Sequence, residues 1–309
     1  MAELLSHQPN CDTAVALGYF DGVHLGHRAV IGRAVQEADG QLLPAVFTFS
    51  TGGGAPEKKK GAGALCTPEE KLDLLRQAGA RVIASPDFEV IHGMSPQEFV
   101  QDILARQLRA RVLCCGADFR FGKGAAAGVE ELRAMGAPLG IRLCVVPAVL
   151  YQNAPVSSTR IREAVSAGDL PLAAALLGRR YSFAAPVVEG KHLGHKLDFP
   201  TINQPLPAGL CMPPPAVYAV WVQTPDGRWR MGVCNIGAQP TVGGSTPLAE
   251  TFILDYSGDL YGRTVRLAPW RKLRDIRRFE SVEQLRRCVL ENARQAREIL
   301  SQQPAEDLG

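Results

Sequence analysis

The chain has 309 residues, 46% of them hydrophobic and 21% charged, with a formal net charge of +3. That length suits two ordinary domains, and the composition is globular rather than fibrous or disordered. So small a positive charge gives no basic field for extended nucleic-acid binding, so small-molecule partners are expected and nucleic acid is not. The opening MAELLSHQPN lacks the regions of a signal peptide and no apolar run reaches membrane-spanning length, which predicts a cytoplasmic protein with no membrane partner. Cysteines at 11, 66, 114, 115, 144, 211, 234 and 288 form no C-x-x-C pair and read as reduced packing residues. Oligomeric state is not legible.

The first predicted strand is the apolar run 15–17, followed by a turn over 18–22 and a helix on which Ala29, Val30, Ala34 and Val35 recur at helical spacing. His24 and His27 fall on its first turn. Unpaired backbone N–H groups and the positive end of the helix dipole suit an anion there, and imidazoles suit a phosphate better still. Taken alone, the spacing fits better with histidines that simply cap a helix end. It is neither a P-loop nor a G-x-G-x-x-G turn, and it lacks the Glu and third ligand of a zinc site.

The strand–helix alternation then continues through PAVFTF, a helix over 67–79, RVIAS, a helix from 95, RVLCCG, VEELRAMG, IRLCVVP and SSTRIREAV. This is the rhythm of an open parallel sheet. Thr67-Pro68-Glu69-Glu70 and Ser95-Pro96-Gln97-Glu98 mark helix starts, with a cap hydroxyl, proline at the first helical position and glutamate at the third. In such sheets ligands sit beyond the carboxyl ends of the strands, so the histidine turn, the loop CGADFRFGKG and the segment SSTRIR can share a crevice. Their imidazoles, hydroxyls and arginines are what a triphosphate needs when its α-phosphorus is attacked.

From about residue 181 strands and turns take over. AVYAVWVQT, PDG and RWRMGVCNIG predict a hairpin, and AETFILDY, SGD and LYGRTVRLAPW predict another, so a small antiparallel barrel or sandwich is expected. Ser281 and Gln284 predict a capping box for a last helix whose Val282, Leu285, Val289, Ala293, Ala296 and Leu300 cover an open side of it. Before the strands, GKHLGHKLDFPTINQ places Gly190 and Gly194 in a loop able to approach phosphates closely. Thr201 and Asn203 then face one way and offer neutral oxygens to a hard cation. Glu250, opening an otherwise largely apolar strand, is placed to take a proton from an attacking alcohol, although by position alone it is an ordinary strand-edge acid.

The strings GYFDGVHLGH, GADFRFGKG and SSTRIR, followed by DFPTIN, GVCNIGAQPTVG, AETFILDY and DLYGRTVRL, resemble in order the bacterial bifunctional riboflavin kinase/FMN adenylyltransferase family, also called FAD synthetase. The resemblance implies an α/β Rossmann-like nucleotidyltransferase domain over 1–180 and a small antiparallel β-barrel kinase domain with a C-terminal helix over 181–309. It implies that His24 and His27 contact ATP phosphates, that Gly18, Asp21, Asp118, Ser158, Thr159 and Arg162 line the nucleotide and flavin crevice, and that Gly190, Gly194, Asn235 and Arg274 bind substrates on the barrel. It further implies Mg²⁺ at Thr201 and Asn203, Glu250 as the base that activates the ribityl 5′-hydroxyl, and ATP, riboflavin and FMN as substrates. Where the family commonly reads FEPHP this chain reads FSTGGGAP, Asp198 replaces a usual glycine, and Ile276 stands where an acid is frequent. These departures leave two other readings, a riboflavin kinase with a weakened adenylyltransferase half and a flavin- or nucleotide-binding module without turnover. A tRNA synthetase shares the H-x-G-H turn, but no KMSKS-like loop accompanies it here.

Overall fold

The computed structural model describes residues 9–50, 63–189, 199–238 and 247–302. The chain divides into two compact units, Met1–Ser158 and Thr159–Gly309.

The first unit is built on the strands β1 (Thr13–Leu17), β2 (Leu43–Phe47), β3 (Val82–Ala84), β4 (Ala110–Gly116) and β5 (Arg142–Val146), all parallel, in the spatial order β3-β2-β1-β4-β5. Helix α1 (Leu25–Ala38) and α2 (Pro68–Gln77) cover one face, where Val30, Ile31, Ala34, Ala38 and Leu75 meet Ala14, Ala16, Val46, Val112 and Cys114. On the other face Val15, Leu17, Phe47, Leu113 and Cys115 are buried against Phe99, Val100, Ile103, Leu104 and Leu132. Those last side chains come from α4 (Pro96–Glu98), which runs on as a π-helix over Phe99–Gln107, and from α5 (Val129–Gly136); the short α3 (Phe88–Ile91) precedes them. With helices on both faces, β1 is buried at every residue, so it reads as a continuous apolar run. The expected apolar line of α1 is corrected in one place: Val35 is 36% exposed, and Ile31 and Ala38 take the core positions beside Val30 and Ala34. A two-strand ribbon, β6 (Leu150–Tyr151) and β7 (Ala154–Pro155), leads to the end of the unit.

The boundary between the units falls at the first residue of α6 (Ser158–Ala167), the rest of which opens the second unit, followed by α7 (Leu170–Leu177). The division therefore falls ahead of the 180/181 junction expected from sequence. Within the unit, the Cys211 thiol donates to Arg162 O on α6 at 3.7 Å and lies 3.5 Å from the Ser166 hydroxyl, while α7 buries Leu170, Ala173, Leu176 and Leu177. Six strands follow, β8 (Phe183–Pro186), β9 (Thr201–Pro205), β10 (Ala216–Gln223), β11 (Trp229–Ala238), β12 (Pro247–Ile253) and β13 (Thr264–Arg274), and then α8 (Val282–Ser301). Their order is β8-β13-β10-β11-β12-β9 and each of these neighbours pairs antiparallel among the described residues. The two ends of this sheet nearly close into a barrel: Val188 N donates to Asn203 O at 2.8 Å, and the buried Gln204 amide donates to Ala185 O at 2.6 Å and Val265 O at 2.8 Å.

The β10–β11 hairpin forms as expected, but the second one does not. Strand β12 pairs with β11 and β9, whereas β13 pairs with β10 and β8, so the turn signal between them joins strands on opposite flanks. Alternation sets two faces. Tyr218, Val220, Val222, Cys234, Ala249 and Thr251 are fully buried inside, while Val217, Ala219, Trp221 and Val233 face outward under Ala293, Ala296 and Leu300 of α8. The start of α8 departs from expectation: Val282 is 54% exposed, and Gln284 Oε1 accepts from Glu280 N at 3.3 Å instead of from the cap residue, whose hydroxyl accepts from Gln284 N at 3.2 Å.

Candidate functional site

The strand order turns around between β1 and β4, the switch point at which open α/β sheets bind ligands beyond their carboxyl ends. The loop after β1 carries His24, His27 follows on the first turn of α1, and the loop after β4 carries Asp118. His24 is the N-cap of α1, and its Nδ1 accepts from His27 N at 3.3 Å. The two rings stack with centroids 3.5 Å apart, and His27 meets Phe20 edge-on at 5.2 Å. Gly26 makes this possible, for a β-carbon there would stand 3.1 Å from His24 Cε1 and 3.2 Å from its Nδ1. Gly18 is required in the same way, a β-carbon meeting the Phe20 ring at 2.9 Å.

The loop is strained and fastened. Phe20 and Val23 hold φ values of 54° and 38°, in the left-handed region that a β-branched residue rarely adopts, and both are buried. The predicted binding residue Asp21 is itself buried, its Oδ1 accepting from Leu65 N at 3.0 Å, and its carbonyl accepts from the Ser158 hydroxyl at 3.1 Å. Asp21 and Ser158 therefore meet, and they hold the histidine loop in shape. Asp118 is exposed beyond β4. Burial, and after it the Asp118 charge, pushes the Cys115 thiol up to about 11, so the cysteine behind this loop stays protonated and is no nucleophile. Thr159 and Arg162 lie on α6 in the second unit, the former exposed and the latter buried.

On the barrel, the register assembles a row that no local motif contains. Asn203 on β9 stands opposite Glu250 on β12, which stands opposite Asn235 on β11; on the far side of that strand Asn235 faces Val217, and Val217 faces Arg274 on β13. Directly opposed residues share a face, so Asn203, Glu250 and Asn235 project together on the outer side of the barrel, the side that α8 partly covers. Thr201, two residues from Asn203, joins them: its hydroxyl donates to Glu250 Oε1 at 3.1 Å. Phe199 packs edge-on against Phe252 at 5.6 Å and anchors the start of β9. Asn235 Oδ1 and Arg274 Nε are buried without a hydrogen-bond partner among the described residues. Burial pushes the Cys234 thiol, on the opposite face, up to about 12, so it too is a neutral packing group.

Beside Arg274 a cleft of about 650 Å³ opens between β13 and α8, lined among others by Arg277, Phe279, Arg287, Cys288 and Asn292. The Arg274 guanidinium lies 5.5 Å from the centre of the Phe279 ring. Sequence reasoning missed this cleft, although the run RKLRDIRRFE signalled it by its density of arginines beside an aromatic residue. Ile276 lies against Gly237, where a β-carbon would come within 2.7 Å of its Cδ1. Among the described residues no group of three or more His, Cys, Asp or Glu is placed to hold a metal ion. Gly190, Gly194, Asp198 and the replaced FEPHP segment at 51–62 lie outside the described residues.

Comparison with known proteins supplies the family. The family model described as FAD synthetase matches residues 6–160, and the one described as Riboflavin kinase matches residues 177–300. The bifunctional riboflavin kinase/FMN adenylyltransferase of Escherichia coli (strain K12) is 32% identical over 305 residues, which cover 96% of this chain and 95% of that protein. The protein of the same description from Bacillus subtilis (strain 168) is 33% identical over 304 residues, 94% of each chain. A solved structure described as a macrolide-efflux protein from Streptococcus pneumoniae superposes with a TM-score of 0.85 at 27% identity, covering 96% of this chain and 97% of that one. Efflux is said of that protein; here no described helix is long and apolar enough to cross a membrane. Two family models in tandem and relatives matched end to end establish that the chain belongs to the bifunctional riboflavin kinase/FMN adenylyltransferase family.

Proposed function

We propose that this chain phosphorylates riboflavin to FMN with ATP in its second half, 181–309, and transfers AMP from a second ATP to FMN in its first half, 1–180, releasing FAD and pyrophosphate. The observation that carries the kinase assignment is the row Asn203–Glu250–Asn235 with the Thr201 hydroxyl on the Glu250 carboxylate. In this reading Glu250 takes the proton from the ribityl 5′-hydroxyl as that oxygen attacks the γ-phosphorus and ADP departs. Thr201 orients the carboxylate. Asn235 and Arg274 offer hydrogen-bond donors to the substrates, and the arginine-lined cleft at Phe279 supplies an aromatic and cationic wall for the flavin ring. Thr201 and Asn203 present hard oxygen donors on one face, which fits Mg²⁺, and the ion, when bound with ATP, screens phosphate charge.

In the first half the attacking group is a phosphate oxygen of FMN and the leaving group is pyrophosphate, so no covalent intermediate is required. The demand is alignment and stabilisation of charge around the α-phosphorus. His24 and His27, at the amino end of α1 and at the switch point of the sheet, suit that demand, with Gly18 allowing the close packing beneath them. Asp118, in the loop after β4, completes the proposed contacts within the first unit. A cytoplasmic location belongs to the same proposal, in keeping with eight cysteines none of which is in a disulfide. The test is chromatography of the flavins after incubating riboflavin, ATP and Mg²⁺ with the protein: FMN followed by FAD is expected. Accumulation of FMN alone would favour a kinase with an idle first half, and no product at all would leave only a binding module.

A further inference from the structure

The first turn of α2 carries a lysine on its inward face. Lys71 is 6% exposed, four residues before the fully buried Leu75, and a charge so placed must be met by hydrogen-bond acceptors. Its Nζ donates to Phe49 O at 2.8 Å, to the Thr48 hydroxyl at 3.2 Å and to Tyr19 O at 3.4 Å, and it lies 5.0 Å from the centre of the Tyr19 ring. Thr48, fully buried, donates its own hydroxyl to the same Tyr19 carbonyl at 2.9 Å. The Tyr19 and Phe49 rings pack at 4.8 Å. Tyr19 immediately precedes Phe20, the first of the two non-glycine residues held at positive φ in the loop that ends at His24.

We infer that Lys71 is a positioning residue for adenylyl transfer: its ammonium ties the backbone at Tyr19 to the end of β2 and so holds the strained Phe20–Val23 turn that aims His24 and His27. Strain of this kind persists only where the surroundings over-determine it. Ties that reach the loop from the region of α2 include Lys71 on Tyr19 O and Leu65 N on the Asp21 carboxylate. Without the ammonium, three oxygens gathered about one point lose their common donor, the Tyr19 carbonyl keeps the Thr48 hydroxyl but loses its tie to α2, and the turn can relax toward ordinary φ values. The imidazoles then shift by a fraction of an ångström to about an ångström, which is enough to spoil alignment at a phosphorus centre.

The inference rests on the proposed role of His24 and His27, and the experiment separates the two. Adenylyl transfer from ATP to FMN is measured for Lys71→Met, His27→Ala and the double variant, with riboflavin phosphorylation followed on the same preparations. Lys71→Met is expected to lower the adenylyl-transfer kcat by about 10- to 100-fold with KM for ATP within about threefold of the parent, and to leave the kinase rate unchanged. Added to His27→Ala, it is expected to cost less than about threefold more, because it acts through the group already removed. A full multiplicative loss in the double variant, or an unchanged kcat per folded molecule in Lys71→Met, overturns the inference. His27→Ala at the parent rate overturns the reading beneath it and the inference together. Should Lys71→Met fail to fold, Thr48→Val, which removes one member of the cage at constant volume, is expected to lower kcat about fivefold, and an unchanged kcat there overturns the inference.

Discussion

Replacing Glu250 by glutamine isolates proton transfer from positioning. The amide has the volume of the carboxylate and keeps a carbonyl oxygen, so the Thr201 hydroxyl that now donates to Glu250 Oε1 at 3.1 Å retains its acceptor, and the register with Asn203 and Asn235 is untouched. What disappears is the proposed anionic acceptor for the 5′-hydroxyl proton. A positioned general base contributes typically 10²- to 10⁴-fold, and with the flanking asparagines and threonine left in place the loss belongs at the lower end, about 100- to 1000-fold in kcat, or roughly 3–4 kcal/mol of transition-state stabilisation. The assay is FMN formation under saturating ATP and Mg²⁺, with KM for riboflavin taken from the same data and FAD formation from FMN as the control on the other half. A kcat within threefold of the parent would refute the assignment of the base. A large rise in KM with kcat preserved would make Glu250 a binding residue.

Further outcomes follow from the same geometry. Glu37, 13% exposed at its side chain, is held down to about 2 chiefly by its hydrogen bond from the Arg142 guanidinium, aided by Cys144 and Arg33. Its folded pKa lies below its ordinary value near 4.5, so its stabilisation is present above about pH 4.5 and is lost as the pH falls toward 2; Glu37→Gln should flatten the acid limb of the first unit's melting temperature between those values. A fragment starting at Thr159 should be soluble and phosphorylate riboflavin. One starting at Tyr181 discards α7 with its buried Leu170, Leu176 and Leu177, at about 2 kcal/mol for each leucine, and should melt well below the longer fragment. Changing Lys58, Lys59 and Lys60 together to serine should leave KM for FMN in adenylyl transfer unchanged at low and high salt, as expected of a run of like charges that contacts no substrate; a rise in KM that salt abolishes would show that these charges recruit the FMN phosphate.

Where a signal is local, the sequence carries it. Both Thr67 and Ser95 form the reciprocal caps that their motifs imply, and the apolar runs of the first unit become β1 to β5 in a parallel sheet. The second hairpin shows the limit: SGD is good turn chemistry, but it says nothing about which neighbours β12 and β13 accept, and β11 and β10 had claims on them. The kinase row was legible only residue by residue, because Asn203, Glu250 and Asn235 become neighbours through strand register and not through spacing. Lys71 was hidden for a different reason. In TPEEKLDLL it looks like a solvated charge, yet it falls at helical spacing from Leu75 on the face that enters the core, and that periodicity was the available clue.

The central claim is that two separate chemistries reside in two halves of one chain, linked by FMN as a product that can leave one site and enter another. His27→Ala and Glu250→Gln each disable one half, so the most direct measurement is FAD formed from riboflavin and ATP by each variant alone and by an equimolar mixture of the two. Little FAD from either variant alone, FMN accumulating with His27→Ala, and FAD restored in the mixture are the predicted results. FAD from either variant alone at the parent rate, or a mixture no better than its parts, would contradict the division of labour.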